Sequence, residues 1–479
     1  MMRRFPFVAL SCAAPLALAA CAVGPDYERP APLSPQASEL TAAQGNAQVT
    51  AAPLPEHWWR LFDDPVLDRL VEKALAHNTD IRQAQANLKQ ARALLGAARA
   101  SILPTSNVTG SATEQRISNP QIQNPIETEF YQVGFDASYE LDLFGRVSRS
   151  VEAAKGDVGA AQAGLDAARV SIAAETANTY IQACGFAAQA SATQETLTLQ
   201  QRTLDLTQRM FQGGRFSQRE VDQATVLVEQ ARAQLADFQA EQRAALFALA
   251  TLTGDTAANP DAQVAACTAL PKLAAPIPVG DGQALLARRP DVRQAERQLA
   301  ADTARIGVAT AALYPSITFL GSVTLGAANI SDLGSNRSLG FSVGPALSWN
   351  FPFSGAARAR VRQNEAIAEG SLAAFDKAVL TALQETQQAL VRLDGAVTRE
   401  GALDRAYRAS ESAAGLSDAR FRRGADSFLD LLDAQRTQAS ARATLAAASV
   451  ARAQAQISLF KALGGGWENA PEATRAPTP

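Results

Sequence analysis

Residues 211–224 read FQGGRFSQREVDQA, and residues 421–434, 210 positions further along the chain, read FRRGADSFLDLLDA. In each stretch a glycine, Gly214 or Gly424, separates two segments of helical periodicity. Glycine commonly ends a helix because it adopts a left-handed backbone conformation without a steric penalty. Each stretch is therefore predicted to be the tight turn of an antiparallel helical hairpin.

The two turns belong to a longer internal duplication. The sequence NTDIRQA at 78–84 recurs as RPDVRQA at 289–295, at a similar spacing. A repeat of this length is too long for a solenoid and indicates two equivalent halves about an approximate symmetry axis. The predicted segments are a signal peptide (1–20), an N-terminal segment (21–62), a first repeat (63–255), a linker rich in proline and alanine (256–282), a second repeat (283–465) and a tail (466–479).

Each repeat is predicted to contain a helix, two strands, a long helix, a turn and a second long helix. In the first repeat the opening helix covers 63–101 and ends before Pro104, since proline cannot continue the helical hydrogen bonds. Residues 146–210 and 356–422 contain no proline, and a helix of that length would extend roughly 100 Å. The helices after the turns are predicted at 217–253 and 427–463.

The strands are indicated by alternation of apolar and polar residues. Residues 131–143, 316–325 and 339–351 alternate with a period of two, which places apolar side chains on one face and polar ones on the other. The two strands predicted in each repeat make four per chain, and four strands cannot close a membrane barrel, which needs about eight or more. Several chains must therefore combine if the strands span a membrane; the alternative is a four-stranded sheet with one face in water.

The N-terminus has the features of a secretory signal with a lipid attachment site. Arg3 and Arg4 precede the apolar stretch 5–18, and Ala19 and Ala20 precede Cys21, as in the lipobox of bacterial lipoproteins. Acylated Cys21 would begin the mature chain; the alternative is an ordinary signal peptide cleaved after small residues. Ala22 follows the cysteine where an aspartate would indicate retention at the inner membrane, so sorting to the outer membrane is expected.

Two further cysteines, Cys184 and Cys267, remain in the mature chain. In an oxidising compartment they are candidates for a disulfide, although two buried free thiols are an open alternative. A zinc site is not indicated, because no histidine lies near them in sequence.

Composition and motifs argue against several functions. The net charge is -3 with 19% charged residues, so nucleic-acid binding is not indicated. After residue 21 no apolar run reaches the roughly eighteen residues of a spanning helix. No nucleophile and base pair, phosphate loop or metal spacing is found, so neither an enzyme nor a cofactor or metal is expected.

These motifs together resemble one family, the TolC-like outer-membrane efflux channels, and within it the OprM/NodT lipoprotein branch. The resembling stretches cover nearly the whole mature chain and are CAVGPDY at 21–27, HWW at 57–59, PVGD at 278–281, RRPDVR at 288–293 and KALGGGW at 461–467. The resemblance implies a mainly α protein with a membrane β-barrel: a homotrimer with a twelve-stranded barrel, four strands per chain, and a long α-helical coiled-coil tunnel in the periplasm.

The resemblance also implies a function and partners. The expected function is a passive outer-membrane exit channel for drugs or other small molecules, lipid-anchored and working with a periplasmic membrane-fusion adaptor and an inner-membrane RND-type pump. The rival reading is a lipid-anchored periplasmic adaptor or structural protein built on helical hairpins that never spans the membrane.

By resemblance, Leu429, Asp430 and Asp433 form the periplasmic gate of this channel. Gathered carboxylates repel one another, so Arg422 or Arg423 is a candidate partner. Asp426 stands where the family often has an arginine. The alternative is that these acids are helix N-terminal charges favoured by the helix dipole. In the first repeat, the matching residues are Ser217, Glu220 and Asp222.

Overall fold

The computed structural model describes residues 22–31, 40–117, 126–256, 261–267, 269–273, 275–349, 351 and 355–475. The chain forms two compact units, each assembled from parts of both repeats. The first, here the sheet unit, comprises Met1–Ala31, Leu88–Ala161 and Gln294–Phe375. The second, the helical unit, comprises Pro32–Asn87, Gln162–Arg293 and Asp376–Pro479.

The helices of both repeats follow one order. They are α1 Pro65–His77, α2 Thr79–Ala100, α3 Arg146–Gln212, α4 Gln218–Leu252, α5 Ala262–Ala265, α6 Gly282–Arg288, α7 Pro290–Ala311, α8 Ala356–Arg422 and α9 Phe428–Ala462. Helices α2 and α7 each have 22 residues, α3 and α8 each have 67, and α4 and α9 each have 35. Among the described residues, none of these helices has both the length and the hydropathy for crossing a membrane.

The start of the first repeat differs from its prediction as one helix over 63–101. Two helices, α1 and α2, occupy this range instead, and a 3-10 turn at Trp58–Phe62 precedes them. The break falls at Asn78, whose side-chain Oδ1 accepts hydrogen bonds from the backbone N–H of Asp80 (2.8 Å) and Ile81 (3.3 Å). Asparagine competes well as a helix cap, so the local side-chain bonds end one helix and begin the next.

The strands of the described residues are β1 Val49–Thr50, β2 Thr105–Ile117, β3 Ile126–Leu141, β4 Ile277–Pro278, β5 Ser316–Ala327 and β6 Leu339–Ser348. Of these six, β3, β5 and β6 lie close to the positions predicted from alternation, whereas β1, β2 and β4 had no predicted position. Four of the six form an antiparallel sheet in the order β2-β3-β5-β6. The other two, β1 and β4, pair in parallel, so the linker segment is bonded to the N-terminal segment.

The antiparallel sheet has one apolar face, and that face is exposed. The register aligns Phe135 with Val323 and Val323 with Phe341 across neighbouring strands. Their exposed fractions are 48%, 46% and 78%. The adjacent row, on the opposite face, aligns Asp136 with Ser322 and Ser342, and the two serine hydroxyls lie 2.9 Å apart. The predicted alternation is therefore confirmed, but in one chain its apolar side is not covered.

The first described residues pack closely against helices of the sheet unit. An added Cβ at Gly24 would lie 2.5 Å from the Cα of Gly307, so only glycine fits there. Arg149 donates to the carboxylate of Asp26 at 2.6 Å. The segment that follows Cys21 is thus held against α3 and α7.

The core of the helical unit is formed by large aromatic and aliphatic side chains. The rings of Trp58 and Phe460 stack with centroids 4.7 Å apart, and both are fully buried. The guanidinium of Arg289 donates to the carbonyl of Ala462 at 3.0 Å, which satisfies a free carbonyl at the end of α9. The HWW motif and the C-terminal helix end that the sequence singled out are therefore parts of one core.

Candidate functional site

The two helical turns lie side by side and have the same backbone design. Gly214 and Gly424 adopt positive φ values of 71° and 75°, as expected for glycines that end helices. The N–H of Arg215 donates to the carbonyl of Met210, and the N–H of Ala425 donates to that of Arg420, both at 2.9 Å. Both hairpins thus reverse direction through equivalent closing bonds.

An aromatic cluster joins the two turns. The ring of Phe428, the first residue of α9, lies 5.0 Å from that of Phe216 and 6.0 Å from that of Phe421. Phe428 is 6% exposed and also packs with Ala224 and Leu432. Since aromatic pairs add to the gain from burial, this cluster fixes the second turn against the first.

The carboxylate of Asp430 forms hydrogen bonds with Ser427, the residue that caps the start of α9. Its carboxylate accepts hydrogen bonds from the backbone N–H (3.0 Å) and the hydroxyl (2.7 Å) of Ser427, while the hydroxyl of Ser427 accepts the N–H of Asp430 at 3.2 Å. This reciprocal arrangement is a capping box. Bonds from the Ser427 hydroxyl and then its backbone lower the pKa of Asp430, so the carboxylate is charged at neutral pH.

The first turn carries the equivalent pair. The carboxylate of Glu220 accepts the hydroxyl of Ser217 and its backbone N–H, the latter at 2.9 Å. These bonds, with a further one from Arg219, lower the pKa of Glu220 to about 2. Asp222 is exposed and accepts a hydrogen bond from Gln218 at 2.8 Å.

The other acids of the second turn pair with arginines of the same hairpin. Asp426 accepts from Arg420 at 2.7 Å, and Asp433 accepts from Arg436 at 2.5 Å. The Asp433 pair is exposed on both sides, at 65% and 69%, whereas Asp426 is 18% exposed. An exposed pair of this kind adds at most about 1 kcal/mol and exchanges partners easily.

The remaining candidates are spread over the same surface. Arg422 pairs with Asp418 one turn earlier on α8, at 2.9 Å, and does not contact the gate acids within the chain. Arg423 is exposed, and Leu429 is 50% exposed although it lies beside the buried Phe428. Leu429, Asp430 and Asp433 therefore share the start of α9, in the region where both turns meet.

Sequence reasoning missed Arg420, Arg436 and the aromatic cluster. The signal for Arg436 was present, since a spacing of three places it beside Asp433 on a helix. The Ser-x-x-acid pattern at both turns was likewise a readable capping signal. The contact of Phe216 with Phe428 joins residues 212 positions apart, and no local pattern predicts it.

The two mature-chain cysteines are joined. Cys184 on α3 and Cys267 after α5 form a disulfide with their Cα atoms 5.2 Å apart, and Cys184 is fully buried. The bond ties the linker to the long helix. The proposed lipidation residue, Cys21, lies outside the described residues.

The repeated hairpins, the four-stranded sheet with its exposed apolar face and the lipobox together define a protein of the bacterial envelope. A family model for outer membrane efflux proteins matches residues 70–255 and 282–465. The chain belongs to this family, which comprises efflux and channel proteins.

Curated relatives match the chain over almost its whole length. Outer membrane protein OprJ of Pseudomonas aeruginosa is 33% identical, covering 98% of this chain and 97% of its own. Nodulation protein T of Rhizobium leguminosarum bv. trifolii is 32% identical over 94% and 96%. The solvent efflux pump outer membrane protein SrpC of Pseudomonas putida is 31% identical over 96% and 98%.

Solved structures show the same fold. The outer-membrane channel OprN matches with a TM-score of 0.87 and 34% identity, covering 93% of this chain and all of that one. The open state of the MtrE outer membrane channel of Neisseria gonorrhoeae matches with a TM-score of 0.77 and 29% identity, over 96% of this chain and all of that one.

Proposed function

We propose that three copies of this chain form the outer-membrane exit channel of a tripartite efflux system. The channel is a passive conduit from periplasm to exterior, and a periplasmic adaptor and an inner-membrane RND-type pump deliver its substrates. Family membership and the full-length similarity to proteins named as efflux-pump components support this function.

The observation that carries the proposal is the exposed apolar face of the four-stranded sheet. Phe341 and Val343 on the edge strand β6 are each 78% exposed, an arrangement that water disfavours and hydrocarbon favours. In hydrocarbon every backbone N–H and C=O must be paired, so the edges β2 and β6 need partners. Because four antiparallel strands leave β2 and β6 running in opposite directions, β6 of one copy can pair with β2 of the next in the same antiparallel pattern. Three copies give twelve strands.

The paired turns form the gate of this channel. Threefold repetition of Leu429, Asp430 and Asp433 would place apolar and acidic groups around one axis. Asp430 is held by its helix cap, whereas the Asp433 pair with Arg436 is exposed and labile. An adaptor that binds the separated hairpins more tightly than the closed ones shifts the equilibrium towards the open state.

Two adjacent residues of β6 test the membrane assignment. Phe341→Arg puts a charge on the apolar face, at a cost of about 2–4 kcal/mol near the bilayer centre, while Ser342→Arg puts it on the opposite face. We expect the wild type and Ser342→Arg to form heat-resistant oligomers that conduct ions in planar bilayers, and Phe341→Arg to fail. A soluble monomer without conductance, unaffected by either change, would instead support the adaptor alternative.

A second pair of variants, one at the gate and one control, tests the assignment of the gate. Asp433→Ala is expected to raise the open probability or the single-channel conductance, because it removes an acid and its partner bond from the closed turns. Asp404→Ala removes an exposed ion pair with Arg408 from α8 of the same hairpin, farther from the turn, and serves as the control. Equal conductance of both variants and the wild type would remove Asp433 from the gate.

A further inference from the structure

The two repeats are equivalent in structure at the level of single residues. Helix α7 begins 211 positions after α2, and α8 and α9 begin 210 positions after α3 and α4. We call residues related by these offsets counterparts. Asn78 donates to the carbonyl of Leu252 at 3.0 Å, and its counterpart Arg289 donates to that of Ala462, the counterpart of Leu252, also at 3.0 Å. A contact seen at one position can therefore be sought at its counterpart.

Within one chain, the first repeat meets the second along α3 and α7. In the sheet unit, Arg305 of α7 donates to both carboxylate oxygens of Asp157 of α3 at 2.7 Å. In the helical unit, the guanidinium of Arg293 of α7 lies 4.0 Å from the carboxylate of Asp166 of α3. The adjoining strands have the same order, since β3 pairs with β5. In each unit, an acid of α3 thus faces a base of α7.

A closed ring of copies requires a second contact of the same kind. If β6 pairs with β2 of the next copy, first and second repeats alternate around the ring. Helix α8 follows β6, and α2 precedes β2. They are the counterparts of α3, which follows β3, and of α7, which precedes β5. The contact of α3 with α7 inside a chain therefore predicts a contact of α8 with α2 of the next copy.

One charged pair is retained at the counterpart positions. Asp376 of α8 is the counterpart of Asp166, and Arg82 of α2 is the counterpart of Arg293. Arg82 is exposed and Asp376 is half-buried, and within the described residues neither side chain has a hydrogen bond or an ion pair. The acid and the base whose counterparts face each other inside the chain are thus unpaired in the described part of a single copy.

Other counterpart positions on these helices are uncovered in a single copy. The counterparts of the ion pair in the sheet unit are Leu94 of α2 and Ile367 of α8, which are 61% and 45% exposed. An added Cβ at Gly307 would lie 2.8 Å from Cγ of Arg149, whereas at its counterpart Gly96 it would meet nothing among the described residues within 4 Å. Exposed apolar side chains favour contact with another apolar surface over contact with water. The two uncovered surfaces are therefore suited to each other.

We propose that α8 of one copy docks against α2 of the next copy, and that Asp376 pairs there with Arg82 of the next copy. Leu94 and Ile367 pack against each other at the same interface, in place of the ion pair found inside the chain. This inference rests on the proposed function, since it requires the ring of copies. It adds the side chains through which each copy binds its neighbour.

Reversal of the two charges tests this pair. Arg82→Asp places two carboxylates at each interface, and Asp376→Arg places two guanidinium groups there. Because like charges then repel at every interface, each single variant should retain about fivefold less trimer at the temperature where half of the wild-type trimer dissociates in detergent. The chain with both substitutions should regain the heat resistance of the wild type.

Co-expression of the two single variants with different tags distinguishes a pair between chains from a pair within one chain. In a mixed trimer, two of the three interfaces again join an acid to a base. Mixed trimers should therefore resist heat better than trimers of either variant alone. If the pair lay inside one chain, mixed trimers would be as weak as the pure ones.

Arg99→Asp is the matched control. Arg99 is also an exposed arginine of α2, but the hydroxyl of its counterpart Thr310 donates to the carbonyl of Ile306 on its own helix. We expect this variant to keep the heat resistance of the wild type.

Three outcomes would overturn the interface and leave the proposed function intact: single variants that dissociate like a trimeric wild type, mixed trimers as weak as the pure ones, or an equal loss in the control. A wild type that is monomeric in detergent would overturn the proposed function as well.

Discussion

The helices α3 and α9 run through two regions of the helical unit that are packed very differently. The body comprises residues 40–87, 162–184, 262–293, 376–393 and 453–475, and the turn end comprises 193–238 and 407–446. Of the twelve largest fully buried side chains among the described residues, only Leu431 lies at the turn end. Half of these side chains lie on segments that do not reach the turn end, so additional elements cover the long helices in the body; these side chains are Trp58, Trp59, Leu67, Ile81, Ile277 and Leu285.

That difference matches what a gated conduit requires. Segments that move are drawn from the less stable parts of a structure, and segments that hold the moving part are drawn from the most stable. The body contains the Trp58 and Phe460 stack and the disulfide, whereas the turn end contains exposed ion pairs. If the two regions are energetically separate, a change in one should leave the stability of the other unaffected.

Phe460→Ala should have the largest effect. Phe460 is fully buried between Trp58 and Phe62, so its loss leaves a cavity and should cost about 3–5 kcal/mol. We expect a marked fall in the temperature at which the detergent-solubilised protein loses its helical signal. Phe428→Ala, a matched change at the turn end, should lower that temperature less and should instead speed proteolysis at the turns. Equal thermal effects would contradict the separation of the two regions.

Removal of the disulfide should have the next largest effect. Cys184→Ala with Cys267→Ala opens a loop with a sequence separation of 83 and should destabilise the helical unit by about 2–4 kcal/mol. Hydrogen exchange should accelerate around 261–267 and leave 428–446 unchanged. In the wild type, neither cysteine should react with a thiol reagent after unfolding without reductant; full reaction of both would refute the bond.

The sequence predicts the long elements of this fold well. The helix predicted at 356–422 matches α8, and that predicted at 427–463 differs from α9 by one residue at each end. Absence of proline, glycine at the turns and period-two alternation are local signals with few alternatives. The break at Asn78 was missed, because it depends on a side-chain cap within a stretch that has helical composition.

The sequence located the two turns but not the hydrogen bonds of the acids that they carry. The resemblance points to the acids at 430 and 433 and leaves Arg422 or Arg423 as the expected partners. In the structure, Asp426 accepts a hydrogen bond from Arg420, which precedes it in the chain, and Asp433 accepts one from Arg436, which follows it. The turn geometry and rotamers select among nearby arginines, and sequence spacing alone leaves several within reach.

Ser427→Ala should have a moderate and local effect. It removes the hydroxyl that caps α9 and binds Asp430, a loss of about 1 kcal/mol for a helix N-cap. Exchange of the first-turn amides of α9 should accelerate, and open probability should rise. Ser458→Ala is the control, because its hydroxyl donates only to a carbonyl of its own helix in the body. Unchanged exchange at the start of α9 would contradict a working cap.

The smallest expected effect concerns the pH dependence of stability, and it has opposite signs for Glu220 at the turn end and Asp166 in the body. The folded pKa of Glu220 is about 2, below the ordinary value of about 4.3, so its stabilisation of the turn end is complete above about pH 4.3 and is lost as pH falls towards 2. In the body, burial raises the pKa of Asp166 despite bonds from Gln162 and Arg169, so acid favours its folded state. Between pH 5 and about 2, proteolysis at the first turn by an acid-active protease should therefore rise before the body unfolds. Glu220→Gln should abolish the pH dependence at the turn; a body that loosens first would reverse the assignment of the weaker region.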